Sequence, residues 1–205
     1  MGGVDIKNKP MFIPKVPLVA IDQRFIYQKT TDLLLKEKLS SFSGDDFDIK
    51  DINGVSFFKC KGKAFSLREK KVFYDQNNQP LFNIKHDLLS LRGRYKIFRG
   101  EGNELIVKVD PLNSFSHTKY GVSFKNLSNG KNEYIELRCD EDNCGIFYGK
   151  GKKAPIICKI FKKFDAKYFF TDKQNYKVHI APNIDAALMI ALGVCFDEIK
   201  NDEKD

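Results

Sequence analysis

One segment near the C-terminus, residues 182–196, reads PNIDAALMIALGVCF and carries a single charge, Asp185. Pro182 and Asn183 predict the end of a strand followed by the N-cap of a helix. Asp185 then falls in the first turn, where the helix dipole stabilises a carboxylate. Apolar side chains occupy every side of the helix that follows, so no face is left for water. The helix is therefore expected to lie inside a membrane or inside protein.

The length of this helix distinguishes a membrane location from a protein interior. The apolar run rises about 20–24 Å, which is short of the roughly 30 Å hydrocarbon core of a bilayer. A buried core helix at about 183–199 is therefore favoured, and no transmembrane span is expected. Such a helix needs a shell of other elements around it.

Residues from about Ile21 to Ile180 have the pattern of strands joined by tight turns. Short runs of Phe, Tyr, Ile, Val and Leu each end at a cluster of Asn, Asp or Gly, as in β-hairpins. About a dozen strands are predicted, and a sheet of that size curls into a barrel or splits into a sandwich. The apolar C-terminal helix favours a barrel that closes around it.

The rest of the chain divides simply. Residues 1–17 contain Pro10, Pro14 and Pro17 and predict an extended arm, residues 18–200 form the barrel domain, and residues 201–205 form a charged tail. The composition is 42% hydrophobic and 30% charged, which excludes disorder throughout and a collagen-like repeat. An excess of 35 Lys and Arg over 27 Asp and Glu gives a net charge of +8 and favours an anionic partner.

Three stretches carry a resemblance to a known family: FSLREKKV at 65–72, LLSLRGRYKIFRG at 88–100, and 178–199, which begins VHIAPNID and ends DEI. In this order, over about residues 15–200, they resemble the LURP-one-related family, which belongs with the tubby C-terminal domain and the phospholipid scramblases. The resemblance implies a mainly β fold, a twelve-stranded antiparallel closed barrel around a buried C-terminal hydrophobic helix. It implies no enzymatic activity. No cofactor is expected.

The resemblance also implies two kinds of function, and both stay open. Tubby relatives bind phosphoinositide headgroups through basic residues on one face of the barrel, and some plant members of the family are linked to pathogen response. The chain is therefore expected to be a non-enzymatic tubby-like binding module. It is either a peripheral adaptor for phosphoinositides or other anionic phospholipid headgroups, or a protein-interaction scaffold in a stress or defence pathway with no lipid role.

Strand alternation in residues 90–97 gives one candidate site. A period of two places Arg92, Arg94 and Lys96 side by side on the solvent face, about 7 Å apart. The three positive charges repel one another unless an anion or nearby carboxylates neutralise them. Guanidinium groups have the hydrogen-bonding geometry that phosphate oxygens need. We expect this face to bind a phosphoinositide headgroup or another polyanion, with a merely solvated strand face as the alternative.

A second basic region, residues 146–180, holds nine lysines against two aspartates. A solvated edge explains most of it, because lysine on edge strands also blocks aggregation. Nucleic acid is not an expected partner, since single-strand binding favours Arg together with exposed aromatic side chains.

The five cysteines are scattered and the N-terminus leads into no apolar signal region, which predicts reduced thiols in an intracellular, cytoplasmic protein, peripheral at the plasma membrane if it binds lipid. Cys139, Cys144 and Cys158 lack the second CxxC or spaced His that a metal site needs, so no metal is expected.

Overall fold

Twelve antiparallel strands form a closed barrel within residues 6–38, 46–62, 70–87, 93–112, 119–162 and 175–202, which are the parts of the chain that this computed structural model describes. The strands are β1 (Thr31–Lys38), β2 (Asp46–Asp51), β3 (Ser56–Gly62), β4 (Lys71–Tyr74), β5 (Pro80–His86), β6 (Tyr95–Arg99), β7 (Leu105–Pro111), β8 (Lys119–Lys125), β9 (Asn132–Cys139), β10 (Asn143–Tyr148), β11 (Ile156–Phe161) and β12 (Asn175–Ile180). A helix, α1 (Ala186–Asp202), follows them.

Each strand pairs with its neighbours in the sequence, and β1 closes the barrel by pairing with β12. Because successive strands run in opposite directions, the turns at 51–55, 75–79, 100–104, 126–131 and 149–155 all lie at one end of the barrel, which we call the turn end. Local chemistry shapes these turns. The Asp51 carboxylate accepts hydrogen bonds from the backbone N–H of Asn53 and Val55, and Gly54 adopts a φ of +83°.

The helix α1 fills the barrel. Every residue from Ala186 to Phe196 other than Gly193 is 0% exposed, and the inward side chains of the strands pack around it. The predicted barrel with a buried C-terminal helix is therefore confirmed. Among the described parts of the chain, no helix combines the length and the apolar character that crossing a bilayer requires.

The predicted cap of this helix is wrong. Asn183 was expected to be the N-cap, but it has a φ of +63° and its side-chain amide donates to the carbonyl of Pro14 at 3.1 Å. Asp185 is the cap instead, since its Oδ1 accepts from the N–H groups of Ala187 at 3.0 Å and Leu188 at 3.3 Å. A left-handed residue at 183 cannot continue into a helix, so the cap lies two residues later than expected.

The segment that precedes β1 is tied to the entry of this helix. The other oxygen of Asp185, Oδ2, accepts from the N–H groups of Ala20, Ile21 and Asp22 at 3.1, 2.7 and 3.2 Å. Asp185 is 0% exposed, so one buried carboxylate receives five backbone N–H groups from two distant parts of the chain.

The described part of the N-terminal arm lies against the barrel wall. Ile6 is buried with Phe147 and Ile156, and Met11 forms a parallel bridge with Ile156. A side chain at Gly145 would collide with Phe147 and Ile6, so the absence of a Cβ there makes room for the arm.

Candidate anion-binding face

Strand β6 has the alternation that its sequence predicts. Tyr95 and Ile97 are buried toward the core, while the side chains of Arg94 and Lys96 are 54% and 42% exposed on the outer wall. Arg94 immediately precedes the strand, which begins at Tyr95. Arg92, the third predicted cation, lies outside the described residues. The structure thus places two of the three predicted side chains on one outer face.

Two nearby carboxylates partly neutralise the charges of Arg94 and Lys96. Arg94 Nε lies 3.1 Å from Asp110 Oδ1, and Lys96 Nζ lies 2.8 Å from Asp87 Oδ2. All four side chains keep contact with solvent, and exposed ion pairs of this kind contribute only about 0–1 kcal/mol. The two ion pairs hold the cations in place, and both cations remain accessible from solvent.

The register between strands adds two cations that the sequence reasoning missed. Lys85 on β5 and Lys108 on β7 both lie directly opposite Lys96. Because adjacent strands are about 4.8 Å apart, Lys85, Lys96 and Lys108 form a row of roughly 10 Å across the outer wall, which we call the lysine row. Like charges at directly opposite positions destabilise a sheet, so the row costs stability unless something else compensates it.

The two outer members of the lysine row differ from Lys96 in their surroundings. Lys85 Nζ donates to the neutral side-chain oxygen of Asn103 at 2.7 Å and lies 4.7 Å from the ring centroid of Phe98. Lys108 is exposed and forms no ion pair with any residue that the structure describes. The lysine row thus combines one cation paired with a carboxylate, one that donates to an amide oxygen and one that is exposed.

Two described lysines of the second basic region, Lys159 and Lys177, have partners within the fold. Lys159 is buried and donates to the carbonyl of Lys7 at 2.9 Å, which fastens the arm. Lys177 Nζ lies 3.0 Å from Asp32 Oδ2, and the other oxygen of this carboxylate lies 2.5 Å from His179 Nδ1. Burial raises the pKa of Asp32, but the hydrogen bonds from His179 and Lys177 outweigh it and hold that pKa below its usual value. These lysines therefore serve the fold.

Two cysteines form a bond that the sequence analysis did not expect. Cys139 on β9 and Cys144 on β10 are directly opposite each other, with Cα atoms 4.0 Å apart, and form a disulfide. The expectation of reduced thiols is wrong for this pair. Cys60, Cys158 and Cys195 are buried thiols outside any disulfide, and burial raises the pKa of the Cys158 and Cys195 thiols above the usual value. Within the described residues, no group of His, Cys, Asp and Glu side chains is arranged to hold a metal ion.

The comparisons with known proteins bear on this barrel. A family model described as LURP-one-related matches residues 31–197, from the first residue of β1 into α1. The chain belongs to the LURP-one-related family. This confirms the resemblance carried by the three sequence stretches, and the match includes β5, β6 and β7, which bear the lysine row.

Proteins similar to this chain occur in plants and in bacteria. Protein LURP-one-related 15 of Arabidopsis thaliana is 26% identical over 93% of this chain and 90% of its own length. Uncharacterized protein YxjI of Bacillus subtilis is 25% identical over 85% of this chain and 96% of its own length. An X-ray structure of an Arabidopsis thaliana protein matches with a TM-score of 0.63 and 22% identity, covering 88% of this chain and 98% of that chain. This structural likeness shows that the two chains share a fold.

Reducing the disulfide is expected to lower the free energy of unfolding by about 2 kcal/mol, because the bond closes a loop of only a few residues and the entropy it removes from the unfolded chain grows with loop length. Urea unfolding with and without dithiothreitol measures the difference. In the Cys139→Val/Cys144→Val double variant the reductant should have no effect. Thiol titration of the unreduced, unfolded protein should find the three cysteines outside the disulfide, and a count of five would refute the bond.

Proposed function

We propose that this LURP-one-related protein is a non-enzymatic binding module that holds phosphoinositide headgroups on the outer wall of β5, β6 and β7. The lysine row carries this proposal. Its three ammonium groups lie on adjacent strands, and Arg94 adds a guanidinium group two residues from Lys96. Several cations at short spacing suit a headgroup that presents several phosphates. A guanidinium group can also donate two parallel hydrogen bonds to the oxygens of one phosphate.

The filled interior supports an outer site. Because α1 fills the interior of the described barrel from Ala186 onward, a ligand would bind on the outside of the barrel. The exposure of Arg94, Lys96 and Lys108 meets that requirement. Their attraction to an anionic membrane acts over about a Debye length and is therefore sensitive to salt.

Removal of the lysine row is expected to weaken binding to anionic vesicles about a hundredfold at low salt, since each basic side chain near an anionic surface contributes about 1 kcal/mol. The variant is Lys85→Gln/Lys96→Gln/Lys108→Gln. The measurement is sedimentation with phosphatidylcholine vesicles that contain phosphatidylinositol bisphosphate. A second variant, Arg92→Ala/Arg94→Ala/Lys96→Ala, tests the face that strand alternation predicted.

The matched control makes the same change in charge elsewhere. Lys29→Gln/Lys59→Gln/Lys152→Gln replaces three exposed lysines on other parts of the surface. It should keep nearly all of the binding. If the lysine-row variant and the control variant lose equal amounts of binding, the effect is one of net charge and not of this site. If the wild type binds phosphatidylinositol bisphosphate vesicles no more strongly than plain phosphatidylcholine vesicles, the lipid function is ruled out.

A protein-interaction scaffold is the second candidate, and exposed apolar side chains at the turn end favour it. Ile52 and Val55 in the β2–β3 turn are 64% and 52% exposed, and Leu127 in the β8–β9 turn is 42% exposed. Apolar side chains at turn tips provide contacts for a protein partner that do not weaken with salt. Under this function, Ile52→Ser/Val55→Ser would weaken association with a protein partner and leave vesicle sedimentation unchanged.

A further inference from the structure

A groove with a volume of about 390 Å³ opens on the barrel beside the lysine row, where β7, β8 and β9 run side by side. We call it the β7–β9 groove. Its lining includes Lys108, which is also the last member of the lysine row, so the groove and the row are continuous. Neither the family match nor the basic-face proposal assigns a role to it.

The lining of the groove combines apolar and cationic groups. Leu105 and Ile106 provide apolar surface, and Leu105 is 39% exposed although it is a large apolar residue in a strand. Lys108 and Lys125 are exposed cations of the same lining. The register places the small side chain of Ser123 opposite Lys108, which keeps the groove open at this point. Apolar surface next to a cation suits a ligand that has a hydrocarbon part and an anionic end.

The charges also give the ligand a direction. Glu133 lines the groove on β9 and accepts a hydrogen bond from the Tyr148 hydroxyl at 3.0 Å. Since β8 lies between β7 and β9, Glu133 is about two strand spacings from the strand that carries Lys108. The Glu133 carboxylate repels the anionic end of a ligand from the β9 side of the groove. The lysine row attracts that end to the β7 side, where Lys108 lies.

We propose that the β7–β9 groove binds the acyl chain of an anionic amphiphile whose headgroup lies at Lys108. This deepens the proposed function, because it rests on the lysine row as the place that holds the headgroup. The required chemistry is a phosphate-bearing headgroup joined to an acyl chain. A free single-chain amphiphile and a bilayer phospholipid both supply it.

The test fills the groove without changing its charge. Ser123→Phe adds a ring at an exposed strand position, where aromatic residues are well tolerated. Lysophosphatidate, below its micelle concentration, should bind the wild type at least about tenfold more tightly than glycerol 3-phosphate in calorimetry, because only the first has a chain to bury. In Ser123→Phe this difference should disappear. Leu105→Ser is a second variant that removes apolar lining and adds no bulk, and Gln28→Phe is the control with a new ring at an exposed position outside the groove lining.

Sedimentation of the same variants with vesicles determines whether the ligand is a free amphiphile or a bilayer lipid. If Ser123→Phe weakens lysophosphatidate binding alone, the ligand is a free amphiphile. If it weakens sedimentation with phosphatidylinositol bisphosphate vesicles, with or without loss of lysophosphatidate, the ligand is a bilayer lipid. Unchanged binding in both arms for folded Ser123→Phe and Leu105→Ser overturns the groove proposal. Failure of the lysine-row variant overturns the headgroup site and, with it, the position proposed for the headgroup at Lys108. Failure of the groove variants alone leaves the headgroup site standing, so the two results are distinguishable.

Discussion

Replacement of Asp185 by alanine is expected to lower the free energy of unfolding by about 5 kcal/mol at pH 7. The carboxylate accepts from five backbone N–H groups, three in residues 20–22 and two at the start of α1. Alanine would leave these donors without their acceptor in a site that is 0% exposed, and each unsatisfied buried donor costs about 1–3 kcal/mol. Urea denaturation followed by circular dichroism measures the change. A loss of this size approaches the whole stability of many domains.

Two controls separate the buried anchor from an ordinary capping effect. Asp185→Asn keeps the volume and one oxygen acceptor, so it should lose clearly less than alanine does. Asp51→Ala removes a carboxylate that accepts from the N–H groups of Asn53 and Val55 in an exposed turn, where water can replace the lost acceptor. It should cost about 1 kcal/mol or less. Comparable losses for Asp185→Ala and Asp51→Ala would contradict the anchor.

The same carboxylate gives the stability a dependence on pH. Burial raises the pKa of Asp185 to about 6 from its usual 3.8, although the backbone hydrogen bonds act in the opposite direction. The folded state then holds a proton that the unfolded state has already released between these two values, so stability falls as pH rises through about 6. The advantage of the wild type over Asp185→Asn should therefore be about 2 kcal/mol greater at pH 4 than at pH 7. An advantage that grows with pH would show that the five N–H groups outweigh burial.

The sequence could predict the place of α1 but not its anchor. An apolar helix without a polar face has few places in a protein, and its length favoured a buried position over a span. Together with the strand pattern of residues 21–180, this predicted the barrel interior as its place. The role of Asp185 depends on Ala20, Ile21 and Asp22, which are more than 160 positions away in the chain. Sequence periodicity carries no information about contacts at that distance. The cap was misplaced because the left-handed backbone of Asn183 has no clear signal in the residues around it.

The candidate site shows the same division between local and non-local information. Alternation along β6 places Arg94 and Lys96 outward because the period of a strand is local. Lys85 and Lys108 join them only through the register of β5 and β7, which depends on where each strand starts and on a bulge between Ile97 and Phe98. The disulfide was missed for a related reason. The Asp140 carboxylate accepts from the N–H groups of Asp142 and Asn143, and this tight turn brings the flanking cysteines opposite each other.

Truncation of the chain before residue 183 is expected to abolish cooperative folding. The barrel would lose α1, whose residues from Ala186 to Phe196 are buried on every side. The inward side chains of twelve strands would then face an empty interior, and a protein core holds few voids larger than a water molecule. Circular dichroism and urea unfolding of the truncated chain measure this directly. A soluble product with a sharp unfolding transition would show that the strands do not need the helix.

A single-residue variant tests the same packing without removing Asp185. Leu192 is 0% exposed in the middle of α1, so Leu192→Ala should cost about 2–5 kcal/mol through lost burial and the cavity left behind. Leu192→Met nearly conserves the volume and should cost less than about 1.5 kcal/mol. If the two variants differ as expected, the stability of the barrel depends on how completely the helix fills it. Equal and small losses would mean that the strands close over the gap and that the fit between α1 and the wall contributes little.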